Sequence, residues 1–392
     1  VTEDVGMMAS RFVVRLTASL LGLGLPALLC PPVNAAPSPR SEEWWFGAWQ
    51  VEEKVWPLTQ GKGVTVAVID DGVQTRLPEL QGVVLKGMAF AGESAGDGRT
   101  DEDSKNGGHG TAMAALIAAQ GRGSGMVGIA PDSRIIPIIA AGLDVPRSIR
   151  YAVDHGAKVI NISGGNDALT CPDGVQKAVA YAIEHDVITI AAAGNDGDAA
   201  DSGIFPANCQ GVLTVGAVDA DLKPWIKSTP GHNVMVAAPG VAVGSIGKWG
   251  TFGWNDNGTS QATALTSGVV ALMRSRFPDM SGRETVQRLL ATAKDIPPGG
   301  WDKKTGYGAV IPYRALTAQI PRTSPNPVYE RLDQARSNDD TAGIRSSKTR
   351  EPTRQEEGQR YTCLALGIGG LIIATGLTFA LHRKGLSRSS GE

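Results

Sequence analysis

Between residues 63 and 218, short and largely apolar runs alternate with segments whose apolar residues recur every three to four positions. The runs at 64–69, 134–139, 158–162, 187–192 and 212–218 show no in–out alternation. They read as strands buried on both faces. The periodic segments 111–119, 146–155 and 174–185 read as helices. Strand and helix in turn predict an α/β domain, a mostly parallel sheet between two helical layers. Further on, Ser281-Gly282-Arg283-Glu284 has the form of a capping box ahead of a helix over 286–293, and an apolar run continues as helix over 266–273.

The ends of the chain have a different pattern. Arg11 and Arg15, the apolar stretch 16–29 and Val33-Asn34-Ala35-Ala36 form a secretory signal over residues 1–35, cut after Ala35 or Ala36. A lipoprotein signal using Cys30 is the alternative, and Leu29 stands there where a small residue is needed. Residues 36–60 form a short arm rich in aromatics, with Trp44, Trp45, Phe46, Trp49 and Trp56, which reads as packing on the domain that follows over 61–317. From 318 to 360, Pro321, Pro325, Pro327 and Pro352 are mixed with polar and charged residues, the composition of a flexible linker. Residues 362–381 carry no charge and are long enough as a helix for a bilayer core of about 30 Å. His382, Arg383, Lys384 and Arg388 follow, so the positive flank predicts a cytoplasmic tail over 382–392, one span in the cell membrane and the folded domain outside.

Composition narrows the classes. An apolar content of 42% over 392 residues supports a sizeable core, and a net charge of −2 supplies no basic patch for nucleic acid. Gly123-Ser124-Gly125-Met126-Val127-Gly128 matches a dinucleotide fingerprint by letter but follows a helix and precedes a strand, the reverse of the order that chemistry needs. Cys171 and Cys209 are the cysteines of the exported domain, and a disulfide between them would bracket the 187–192 strand and stabilise by about 3–4 kcal/mol in the chain-entropy model. They make no zinc site, having no histidine pair at ligand spacing. Asp97, Asp101, Glu102 and Asp103 could hold calcium or form a solvated acidic loop, and no metal is assigned.

The candidate chemistry lies at three separated places. Asp70 ends the first apolar run, at the carboxyl edge where open α/β sheets put their sites. His109 follows Gly107-Gly108 and opens an alanine-rich helix, and Ser260 follows Gly258-Thr259 and opens another. Each alone has an ordinary structural role; a serine at a helix start, for instance, is a good cap. Together they offer a hydroxyl, an imidazole to take its proton and a carboxylate to hold the imidazole's tautomer, which points to a nucleophilic hydrolase.

These segments, in the order Asp, His, Ser, resemble the subtilase family of serine peptidases over roughly residues 60 to 316. The resemblance implies a subtilisin-like three-layer fold, with Asp70 as orienting carboxylate, His109 as general base and then acid, and Ser260 as nucleophile. A further match, Ala191-Ala192-Ala193-Gly194-Asn195-Asp196-Gly197, implies Asn195 as the oxyanion amide. In Asn161-Ile162-Ser163-Gly164-Gly165 the resemblance implies an edge that pairs with an extended peptide substrate, with Ser163 and Gly165 as its contacts and Ala193 and Gly194 as the opposite wall of the primary pocket. The chain departs from the family where Gln261-Ala262-Thr263-Ala264-Leu265 replaces Met-Ala-x-Pro-His. Signal, peptidase domain, Pro-rich tether and C-terminal span resemble the mycosins, membrane-anchored subtilases of type VII secretion, which implies exported protein substrates and secretion-channel membrane components as partners. A scaffold that stabilises a secretion complex, with proteolysis secondary or absent, is the alternative.

Overall fold

The computed structural model describes residues 37–334, apart from 92–95, 106, 198–202, 254 and 322, together with 337. The expected signal, the span at 362–381 and the cytoplasmic tail lie outside the described residues. Among those described, no helix is long and apolar enough to cross a membrane.

A seven-stranded sheet runs in the order Met88–Ala89, Arg134–Ile139, Thr65–Asp70, Val159–Ile162, Ile188–Ala192, Leu213–Val218, Val234–Pro239, with every neighbouring pair parallel. The strands are buried on both faces because both faces are covered. Val66, Val68, Val159, Ile188 and Ile190 face one core, which includes the helices His109–Ala118, Thr259–Arg276 and Gly282–Thr292. Ala67, Ile69, Ile160, Ile162 and Ala191 face the other, built with the helices Val145–Asp154 and Asp173–Glu184. Successive side chains of a strand point to opposite faces, so one run of apolar residues supplies two cores.

The His109 and Ser260 helices are buried along nearly their whole length, Ser260's from Thr259 to Arg274. Alanine, glycine, serine and threonine make up more than half of them because a helix enclosed on all sides needs small side chains more than an amphipathic stripe. The Gly282 helix is different: Ser281 Oγ accepts from Glu284 N and the Glu284 carboxylate accepts from Ser281 N, the capping box read from the sequence. Cys171 and Cys209 are joined by a disulfide.

Packing departs from the sequence-based boundaries at two places. Trp45, Phe46, Trp49 and Trp56 of the arm are buried in the core of the Ser260 helix, and Trp56 Nε1 donates to Ile129 O at 3.0 Å. At the other end, the linker expected from residue 318 starts too early. Residues 327–334 are helical, and Val328, Tyr329 and Leu332 are buried. Arg283 holds this segment with paired hydrogen bonds of 2.9 Å to both oxygens of Asp333. A proline-containing polar composition hides the few apolar residues that make the contact. Strand Val234–Pro239 was likewise not anticipated; its Val-Met-Val-Ala-Ala-Pro sequence gains its conformation from pairing with Leu213–Val218.

Candidate active site

Asp70 is the last residue of its strand, paired in register with Ile139, and its side chain is only 5% exposed. Across from it, His109 is the first residue of its helix, with the imidazole 25% exposed toward the cleft. Nδ1 lies 2.9 Å from Asp70 Oδ1 and 3.0 Å from Oδ2, so it donates to the carboxylate and leaves Nε2 as the basic nitrogen. Close approach of the two elements depends on Gly110. A methyl group there would lie 2.1 Å from Gly72 O and 3.2 Å from Asp70 Cβ.

Part of the acidic segment 97–103, to which no metal is assigned, caps the His109 helix. Asp103 Oδ2 accepts from Gly108 N at 3.1 Å and His109 N at 3.0 Å, and Asp101 Oδ2 accepts from Thr111 N at 2.8 Å. These carboxylates satisfy first-turn N–H groups that have no partner inside the helix, and they sit at its positive end. Asp97 pairs with Arg99, and among the described residues no group of three or more His, Cys, Asp or Glu is placed to hold a metal. The charge that gathers here changes protonation. Asp70, opposing the ring's desolvation and aided by Asp71 and Asp103, pushes the His109 imidazole up to about 9. Burial, with Asp70 next to it, raises the Asp71 carboxyl above the usual carboxylate range.

Ser260 is the second residue of its helix. Gly258 before it has φ 177°, extended backbone open to any residue, so the turn itself does not require glycine. A methyl at Gly258 would lie 2.5 Å from Gln261 Oε1, the far end of a flexible side chain, and 3.6 Å from Asn195 Nδ2. The hydroxyl of Ser260 donates to Ser163 O at 2.6 Å. Ser163 Oγ donates to Ser260 O at 3.1 Å and accepts from Asn161 Nδ2 at 2.9 Å, while Ser267 Oγ donates to Asn161 Oδ1 at 3.0 Å. This buried network ties the serine to the adjacent strand. Asn161, fully buried within Val159–Ile162, was the sequence signal for it, a lone amide in an apolar strand.

Asn195 follows strand Ile188–Ala192 and is exposed. Its Oδ1 accepts from Thr259 N and Thr259 Oγ1, each at 2.9 Å, which turns the Nδ2 donor toward the Ser260 turn. Thr259 Oγ1 in turn accepts from Gly194 N at 3.1 Å. Thr259 therefore positions both the Asn195 amide and the Gly194 backbone, a role that no motif signals. Beside Asp70 and His109 opens a cleft of about 230 Å³, lined also by Gly142, Val145, Ile162 and Phe205. The structure thus brings Asp70, His109, Ser260, Asn195, Ser163, Gly165, Ala193 and Gly194 to the carboxyl edge of the sheet. Cys171 and Cys209 lie outside this group, at the flank of the second core.

A family model described as the subtilase family, Peptidase S8, matches residues 61–308. Fervidolysin of Fervidobacterium pennivorans is 34% identical over 315 residues, which cover 72% of this chain and 44% of the relative. Mycosin-4 of Mycobacterium tuberculosis is 34% identical over 320 residues, 68% of this chain and 67% of the relative. The solved structure of MycP3 protease from the type VII (ESX-3) secretion system superposes with a TM-score of 0.62 at 32% identity, covering 73% of this chain and 90% of that one.

Proposed function

The chain belongs to the subtilase family, and on that premise we propose that it is a serine endopeptidase acting through Asp70, His109, Ser260 and Asn195. The observation that carries this reading is the His109 imidazole seated on both oxygens of Asp70 at the same sheet edge as the start of the Ser260 helix. With Nδ1 committed to the carboxylate, Nε2 takes the Ser260 proton as Oγ bonds to the substrate carbonyl carbon. The carbonyl oxygen becomes an anion facing the Asn195 amide and the positive helix end. His109 then returns the proton to the leaving nitrogen as the C–N bond breaks, and water hydrolyses the resulting ester by the same steps in reverse.

The finer reading follows the sequence. Residues 1–35 export the chain, 362–381 anchor it, and the peptidase works outside the membrane on exported proteins, alongside membrane components of a type VII secretion channel. The likeness to Mycosin-4 and to MycP3 supports this assignment. The test is fluorophosphonate labelling of the full-length protein in membranes beside Ser260→Ala. Labelling of the wild type alone is the expected result. A folded wild type that takes no label overturns the peptidase reading, and secretion that fails only when the whole protein is deleted puts the scaffold in its place.

A further inference from the structure

Ser260 stands between two backbone walls. On one side Ser163 O lies 2.6 Å from its Oγ. On the other, Gly194 N and the Asn195 side chain are bonded to Thr259, one residue away. A carbonyl carbon brought to Oγ with its oxygen toward Asn195 sends the preceding side chain into the slot between 163–165 and 193–195. Gly165 and Gly194 leave the walls of that slot bare, but its depth is filled. A methyl group on Gly165 would lie 2.2 Å from Ile204 Cγ2, and one on Gly194 would lie 2.6 Å from Ile204 Cδ1, so this one branched side chain reaches both walls.

Ile204 is held there by its backbone. Ile204–Phe205 pairs antiparallel with Asn166–Asp167, Ala168 N donates to Gly203 O at 2.7 Å, and Asn208 N donates to Ile204 O at 2.9 Å. Beyond it lies a cavity of about 300 Å³ bordered by Ala193, Ile204, Asn208, Thr229 and Arg331, and by neither Ser260 nor Gly165. The space a large side chain would need therefore exists, with Ile204 between it and the slot.

We propose that Ile204 sets the specificity of this site, limiting the residue before the cut bond to glycine, alanine or serine. The inference rests on the peptidase reading above and deepens it. A larger side chain meets a β-branched residue with few χ1 rotamers open to it on a backbone held by its strand pairing, and packed sites resist added methylenes.

Peptidyl diphenyl phosphonates with Ala or Phe at the attacked position test this on the full-length protein. Their rates are normalised to labelling by a fluorophosphonate, which carries no such side chain and reports how much of each sample is assembled. The wild type is expected to react with the Ala probe about 10-fold faster or more, the scale on which hydrophobic pockets discriminate. Ile204→Gly should level or invert the ratio by gaining rate with Phe, and Ile204→Ala should fall between. A wild type that prefers Phe overturns the proposal, as does an unchanged ratio in both variants with fluorophosphonate labelling retained. A wild type that the fluorophosphonate does not label overturns the peptidase reading and this inference with it. Should Ile204→Gly fail to fold, its loss of label shows it, and Ile204→Ala decides.

Discussion

The helix that begins at His109 and the helix that carries Ser260 in its first turn are built alike and surrounded differently. Each follows a glycine, each is rich in small residues, and each is enclosed by the sheet and its neighbours. Around the first turn of the His109 helix stand carboxylates, with Asp70 on the ring and Asp101 and Asp103 on the N–H groups. Around the first turn of the Ser260 helix stand neutral groups: the Asn195 amide, the Thr259 hydroxyl, and Ser163 with Asn161 behind it. The proposed reaction makes a cation at the first place and an anion at the second. Fixed negative charge stabilises an imidazolium, whereas an oxyanion is stabilised by dipoles aimed at it and repelled by carboxylates. One local scaffold thus serves opposite charges because side chains from other elements decide its electrostatics.

Substitutions can break this division. Ser260→Ala removes the group both halves serve, and turnover should fall by about 10⁶, the loss measured in subtilisin, with no change in the thermal unfolding curve beyond a small shift. Asp70→Asn should lower kcat by about 10⁴, because the amide no longer fixes the tautomer. It also removes the main cause of the raised His109 value. In the wild type the neutral imidazole is the competent form, so kcat/KM should rise with pH through about 9, and in Asp70→Asn that limb should move down toward about 6.5. Stopped assays across pH check both.

Asn195→Ala tests the neutral side. It should cost about 10²–10³ in kcat, the size found for the equivalent change in subtilisin, with KM little altered and the rising limb near 9 where it was. A shifted limb in this variant would mean the two halves are not electrically separate. The smallest effect is expected of Asp103→Asn, which keeps a hydrogen-bond acceptor for Gly108 N and His109 N but removes the charge. Stability should fall by about 1 kcal/mol in urea unfolding, as for a weakened helix cap, and the limb should move down slightly. An Asp103→Asn profile that moves upward would contradict the cause assigned to it.

Parts of this site were legible because they are local. An apolar run ending in Asp70, a glycine turn before His109 and the Ser260 segment can each be seen without knowing what surrounds them. Other parts were not. Asp101 and Asp103 read only as a candidate calcium ligand set or a solvated acidic loop, and the fold places them at the start of the His109 helix. Residues 327–334 read as linker because Val328, Tyr329 and Leu332 are sparse in a polar stretch, yet Val328 and Tyr329 join the core of the Ser260 helix and Leu332 lies beside Gly211, all distant in sequence.

The sequence by itself determined the alternation of strands and helices, the sheet edge of the candidate site and the residue types gathered there, since periodicity, capping and turn formation depend on neighbours within a few positions. Only the tertiary structure decided that Asp101 and Asp103 hold the start of the His109 helix, that Thr259 holds the Asn195 amide and that Ile204 fills the slot between Gly165 and Gly194. Charge, dipole and shape at a point in space are sums over groups that share no sequence proximity, and they exist only once the chain has brought those groups together.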